Sequence, residues 1–218
     1  MKILHQIEIS SRCNLACKYC AHPIMTRPKQ DMPYEVYERS LYWASKFVKK
    51  YGQDELNLAG TGESTLHPRF AEYLDMAREA VGNACCIIFA TNGGAVTKEI
   101  ARACARNNVK VWLSLHKLEI AAEAFRLLTD FCVLEDVSVH PMTGSLDWAG
   151  QIDWPVTVPP GSCAWADYNW MFAASNGDIL RCCQDVTGIS KIATIFDDLD
   201  VIELDRSPLC GKCVYEYI

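Results

Sequence analysis

Three cysteines within eight residues, Cys13, Cys17 and Cys20, follow directly on a strand-like stretch, and that junction limits what the chain can build. From His5 to Ser10 polar and apolar residues alternate (Gln6, Ile7, Glu8, Ile9), the pattern of a strand with one side buried. The Cys-x3-Cys-x2-Cys spacing then puts three thiols on the loop at its carboxyl end. Three thiolates leave one iron of a four-iron cluster without a protein ligand, so a small molecule can coordinate it. Zinc is the rival occupant. A structural zinc takes four ligands, and His22 would supply the fourth.

Beyond the loop, helical and strand-like segments alternate. The chain turns helical after Asp31 and Pro33, with Tyr37, Leu41, Ala44 and Val48 on one face. Glu55 to Gly60 reads as a short strand, followed by a turn and a helix carrying Phe70, Leu74, Ala77 and Val81. Cys86 to Ala90 is an apolar strand ending at Thr91-Asn92-Gly93; Lys98 to Arg106 is helical; Val109 to Leu115 is a strand. Ile120, Ala124, Leu127 and Phe131 mark a further helix, and Val137 to Val139 a fifth strand. This order predicts an α/β fold with a parallel sheet, in which ligands bind at the carboxyl ends of strands. Cys13, Gly62 with Glu63, Asn92 and Ser114 all fall at such ends. His140 and His116 also reach that rim, where a satisfied strand-end histidine is the more ordinary role.

Gly144 to Pro160 changes character, with Trp148, Trp154, Pro155, Pro159 and Pro160, and reads as the link out of the core, with a last strand over Pro155 to Val158. Tyr168 to Ala174 and Asp178 to Cys183 flank Ser175-Asn176-Gly177, and Asn-Gly between strand-like runs signals a hairpin. We therefore expect a core over residues 1–150 and a small C-terminal β-hairpin domain over 151–218. Trp165, Tyr168 and Trp170 either form its core or wall a pocket.

Twelve cysteines in 218 residues would mean six disulfides in a secreted chain. No leader precedes His5 and no apolar run is long enough to cross a bilayer, so the expectation is a soluble, cytoplasmic protein whose thiols ligate soft metals. A net charge of −6 without a Lys/Arg block argues against polymeric nucleic acid as a partner, though not against a modified nucleotide. Cys163, Cys182, Cys210 and Cys213 suit a closed four-thiolate site, for which a zinc ribbon is one reading. Cys85, Cys86, Cys104 and Cys132 sit in apolar patterns and read as small core residues.

The stretch from Ile7 to Cys20, with Asn14 after the first cysteine and Tyr19 before the third, resembles the first strand and cluster loop of the radical S-adenosylmethionine (SAM) superfamily. The resemblance implies a partial parallel (β/α)6-type barrel and a [4Fe-4S] cluster on Cys13, Cys17 and Cys20 that binds SAM. One electron then yields methionine and a 5′-deoxyadenosyl radical that abstracts hydrogen from a substrate. Gly62-Glu63 resembles the family's Gly-Gly-Glu-Pro segment, which receives the SAM amino group; here Thr61 replaces the first Gly and Ser64 the Pro. Asn92 and Ser114 occupy positions like the family's ribose-contacting residues, and Tyr19 and His140 complete the SAM-binding candidates. The Cys163-x13-Gly177-x4-Cys182 segment resembles the opening of SPASM and twitch extensions. The chain stops five residues beyond Cys213, which matches the shorter twitch type, in a layout similar to the 2-deoxy-scyllo-inosamine dehydrogenases. That implies a second, auxiliary [4Fe-4S] cluster on Cys163, Cys182, Cys210 and Cys213, with Cys183 as an alternative register to Cys182.

The leading reading is thus an enzyme that cleaves SAM and abstracts hydrogen from a small or medium substrate, dehydrogenase-like where the second cluster takes up an electron. It would draw on an external one-electron donor such as flavodoxin or ferredoxin. Peptide or nucleotide modification, by epimerisation or rearrangement, is an alternative outcome. A non-catalytic zinc or iron–sulfur module is another, and it leaves Gly62-Glu63 without a purpose. No side chain stands out as the group that meets the substrate.

Overall fold

The computed structural model describes residues 2–141, 147–157 and 161–216. In it the core alternates β1 (Ile3–Ile7), α1 (Tyr34–Tyr51), β2 (Glu55–Asn57), α2 (Phe70–Val81), β3 (Cys86–Thr91), α3 (Lys98–Arg106), β4 (Val109–Leu115), α4 (Leu118–Thr129) and β5 (Val137–Pro141). Local chemistry sets the boundaries. Helix α1 stops at Gly52, whose φ of +71° is a left-handed conformation that glycine adopts without strain. Helix α3 starts at Thr97, whose hydroxyl accepts from the Ile100 amide at 3.3 Å.

Tyr37, Leu41 and Ala44 of α1, and all four marker residues of α2, are buried as their periodicity predicts. Helix α4 differs. It buries Ala121, Ala124 and Leu128, while Phe131 lies beyond the helix and is exposed. Apolar residues occupy two adjacent stripes of this helix, and the small Ala121 and Ala124 let the backbone approach the sheet more closely than Ile120 and Leu127 would.

The five core strands pair in parallel, with Ser114 in register with His140 at the β4–β5 step. Residues after 160 add β6 (Gly161–Ser162), α5 (Ala164–Asp167), β7 (Trp170–Ala173), β8 (Asp178–Leu180), β9 (Lys191–Thr194) and β10 (Tyr215–Glu216). The expected hairpin is present at Gly177, φ +88°. It continues the core sheet: β7 lies parallel beside β1, and the strand order is β5-β4-β3-β2-β1-β7-β8-β9. Pairing with β7 covers an edge that β1 would otherwise leave open. Strands β6 and β10 form a separate parallel pair. Residues 155–157 lie in no strand, and Val158, the end of the strand expected there, is outside the described residues. Pro155 has no amide proton to give a ladder.

Helices α1 to α4 pack one against the next, which sets them along one face of the sheet. There Leu4, Ile7, Leu56, Phe89, Val111 and Leu113 meet Tyr37, Phe47, Leu74 and Leu128 in a single core. Cys85, Cys104 and Cys132 belong to that core, and all twelve cysteines are free thiols. No helix among the described residues is long and apolar enough to cross a membrane.

His5 of β1 stacks on Trp170 of β7, with ring centroids 3.7 Å apart and planes 10° from parallel. Burial lowers its pKa to about 4, against a partial opposing pull from the Asp54 carboxylate. The folded state therefore resists protonation that the unfolded chain accepts near pH 6.5. Stability is full above pH 6.5 and is lost, by up to about 3 kcal/mol, as the pH falls toward 4. Urea unfolding across that window should show the loss, and His5→Phe, which keeps the stack, should flatten it.

Candidate active site

A cavity of about 450 Å3 opens at the carboxyl ends of β1 to β4. Cys13, Cys17, Cys20 and Tyr19 wall it on one side, Thr61, Gly62 and Glu63 on another, with Asn92 and Ser114 between. The cysteine loop and the turn after β2 are built back to back. The Glu63 amide donates to Arg12 O at 2.7 Å. A Cβ on Gly62 would stand 2.4 Å from Ser10 O and 2.6 Å from Arg12 O, so only glycine permits this approach.

Glu63 is 2% exposed. One carboxylate oxygen accepts from the Thr91 hydroxyl at 2.7 Å and the Thr65 hydroxyl at 2.5 Å; the other accepts from the Asn92 amide at 2.7 Å. Burial pushes its pKa up, and these donors pull against that rise. The side chain thus shapes the Thr91-Asn92 turn. Asn92 in turn donates from Nδ2 to Asn14 Oδ1 at 2.7 Å, joining the end of β3 to the cysteine loop.

Tyr19 Oη lies 2.6 Å from His116 Nδ1, and burial, aided by Cys17, pushes the phenol up to about 12. His116 sits 3.5 Å from Cys17 Sγ, and burial lowers its pKa. Trp148 closes this corner, donating from Nε1 to Tyr19 O at 3.0 Å. Both His116 and Trp148 line the cavity, whereas His140 does not. His140 is exposed; it shares the face of its register partner Ser114 but bonds Ser138 at 2.9 Å and lies against Trp112. His22, the fourth zinc donor the sequence offers, is buried with Nε2 on Ser11 O at 2.9 Å and does not line the cavity.

Beneath the site lies a buried ion pair that sequence reading did not single out. Glu8, fully buried, accepts from Arg27 at 2.8 and 3.2 Å, from the Thr61 amide at 2.9 Å and from the Ser175 amide at 3.2 Å. Arg27 Nε donates onward to Asp185 O at 3.1 Å.

A second cavity, of about 410 Å3, is lined by Cys163, Cys182, Cys183, Cys210 and Cys213. Cys183 and Gln184 line both cavities and form the wall between them. Within the vicinal pair, hydrogen bonding from Cys183 holds the Cys182 thiol below its ordinary range, and Cys183 is held well above it. Neither thiol set closes on a point: among the described residues no three His, Cys, Asp or Glu side chains could share one metal ion. Each instead lines part of a cavity of several hundred cubic ångströms with soft sulfur donors.

The profile of the Radical SAM superfamily matches residues 7–126, more than half of the chain. The chain belongs to the radical SAM superfamily. A tungsten-containing aldehyde ferredoxin oxidoreductase cofactor-modifying protein from Pyrococcus furiosus is 34% identical over 128 residues, which are 58% of this chain. The chain spans about a third (34%) of that relative's length. Among solved structures, BtrN in complex with AdoMet and 2-DOIA superposes with a TM-score of 0.71 at 20% identity, covering 89% of this chain and 80% of that one. The anSMEcpe structure with AdoMet and the Cp18Cys peptide gives 0.64 at 15% identity, covering 91% and 79%. These likenesses are of fold and extend over about nine-tenths of this chain: a mainly parallel sheet with a C-terminal antiparallel hairpin.

Two variants test how this cavity is held. Arg27→Met should cost about 3–5 kcal/mol in urea unfolding, because it strands the Glu8 carboxylate in the interior. Glu63→Gln turns one of the two carboxylate oxygens into an NH2 donor, set against either the Thr65 and Thr91 hydroxyls or the Asn92 amide, and should weaken SAM binding roughly tenfold, about 1.4 kcal/mol, by calorimetry on the reconstituted protein. Iron content should be unchanged in the second.

Proposed function

We propose that the chain reductively cleaves SAM and abstracts hydrogen from a small or medium substrate, with two [4Fe-4S] clusters in adjoining cavities. One observation carries this reading: a cavity walled by Cys13, Cys17 and Cys20 and a second thiol-lined cavity meet at a common wall, Cys183 and Gln184. When bound, the first cluster and SAM supply a 5′-deoxyadenosyl radical. The chain's own residues hold, orient and enclose them. Cys13, Cys17 and Cys20 would ligate the first cluster. Gly62 keeps the β2 turn pressed against the cysteine loop, Glu63 fixes the Asn92 backbone, and Ser114 and Tyr19 complete the lining. Trp148 and the Tyr19–His116 pair shield the corner beside Cys17 from water.

Cys163, Cys182, Cys210 and Cys213 would ligate the second cluster, with Cys182 favoured over Cys183 by the Gly177-x4-Cys182 spacing. The adjoining position suits uptake of an electron from a substrate radical, and hence a dehydrogenase-like outcome with an external one-electron donor for the first cluster. The name of the Pyrococcus relative, a cofactor-modifying protein, supports a small-molecule substrate over a polymer.

Anaerobic reconstitution with iron and sulfide tests the reading. It should give about eight irons per chain, from two four-iron clusters, and 5′-deoxyadenosine from SAM under a strong reductant. Cys17→Ala should abolish that product, while Cys210→Ala should retain part of it and bind about four irons. Stoichiometric zinc with no SAM cleavage would exclude it.

A further inference from the structure

We propose that Arg181 is the counter-charge of the second thiol cavity and raises the reduction potential of the cluster held there. The inference rests on the reading of Cys163, Cys182, Cys210 and Cys213 as cluster ligands.

Two arginines are buried among the described residues, Arg27 at 5% exposure and Arg181 at 4%. Their surroundings differ in one respect. Arg27 is answered by the Glu8 carboxylate at 2.8 Å. Arg181 takes part in none of the ion pairs among the described residues. Its guanidinium meets neutral oxygens only: Nη1 donates to the carbonyls of Trp165 and, at 2.9 Å, Trp170, and Nη2 to Ala166 O and Asn169 Oδ1 at 3.5 and 3.4 Å. Its Nε–H is buried without an acceptor.

Those oxygens belong to α5, the turn after it and the first residue of β7, and they fix the direction of the guanidinium. They leave its whole positive charge uncompensated. A buried cation without an anion is costly, so a compensating negative charge is to be expected nearby. The cavity that Arg181 itself lines supplies one, since Cys163, Cys182, Cys210 and Cys213 line it too. Arg206 also lines it but is exposed, so solvent and salt screen its charge. A four-iron cluster on four thiolates carries net negative charge, and one-electron reduction adds another. A fixed cation in a low-dielectric wall stabilises the reduced form more than the oxidised one, which moves the potential up. Arg181 is in this sense a tuning residue: it lines the second cavity and not the first.

The test compares the reconstituted wild-type chain with Arg181→Gln and Arg181→Lys by redox titration followed by electron paramagnetic resonance. SAM perturbs the signal of the cluster it binds, so the signal that ignores SAM reports the second cluster. At the potential where the wild-type second cluster is half reduced, Arg181→Gln should lower the ratio of reduced to oxidised cluster roughly tenfold, about 59 mV for one electron. Arg181→Lys should keep most of the wild-type potential, and the SAM-sensitive signal should stay in place. Loss of the second cluster from the Gln variant but not the Lys variant would support the same role. An unmoved midpoint in Arg181→Gln, or equal shift or loss in both variants, would overturn it. A wild-type chain with only about four irons would remove the cluster reading itself, and the proposal with it, and iron analysis separates that result from the others.

Discussion

The site hangs on one buried charge pair. Glu8 leaves the end of β1 with no access to solvent, and such a carboxylate persists only if its oxygens are satisfied and its charge is answered. Arg27 answers it, and the remaining acceptor capacity is taken by the Thr61 and Ser175 amides. Four stretches of chain thereby meet at one residue: the first strand, the segment after the cysteine loop, the turn after β2 and the hairpin after β7. Gly60 belongs to the same arrangement, since a Cβ there would stand 2.4 Å from Glu8 Cγ. The geometry around Cys13 and Gly62 is therefore set from beneath. Moving Glu8 would move the floor under both.

The reach of this pair extends to the second thiol set. Arg27 donates to Asp185 O, and the Asp185 side chain, itself buried, accepts from the amides of Thr187, Gly188 and Ser190. That carboxylate folds the turn directly after Cys182 and Cys183. One continuous line of charge-assisted hydrogen bonds thus runs from the β2 turn through Glu8 and Arg27 to the loop that carries the vicinal cysteines. In the low dielectric of the interior these bonds are stronger than exposed ones and costlier to break. The two cavities are held at a fixed spacing by bonded groups, not by packing alone.

What could be read from the sequence was whatever depends on near neighbours. Cysteine spacing, the period of α1 and α2, the bounds of α3 and β4, and the Asn-Gly hairpin all follow from contacts a few residues apart. Glu8 was different. It sits in an alternating pattern whose polar side would ordinarily face water, and its partner is nineteen residues away. His116 and His140 looked alike as strand-end histidines. His116, just past the end of β4, turns onto Tyr19, whereas His140 lies on the edge strand, away from the cysteine loop. Trp148 lay in a stretch that reads as a linker, although it holds left-handed backbone at φ +56° and closes the cavity. Arg181 gave no signal at all, because a single arginine in a strand pattern is usually a solvated one.

The parallel pairing of β7 with β1 was equally invisible, and it decides where the second thiol set goes. Parallel strands end on the same side of a sheet, so the chain leaving β7 emerges at the rim where the cysteine loop leaves β1. Ser175, at that exit, donates to Ser11 Oγ at 2.8 Å, two residues from Cys13. The hairpin then returns along β8 and delivers Arg181, Cys182 and Cys183 at its far end. An antiparallel β7 would have sent Ser175 to the opposite end of the sheet, leaving the Glu8 oxygen short of a donor. The same pairing that closes an open sheet edge thus supplies a ligand to the buried carboxylate. It also sets the reach of the hairpin, with Arg27 holding the return loop at Asp185, so that Cys183 and Gln184 stand between the two cavities.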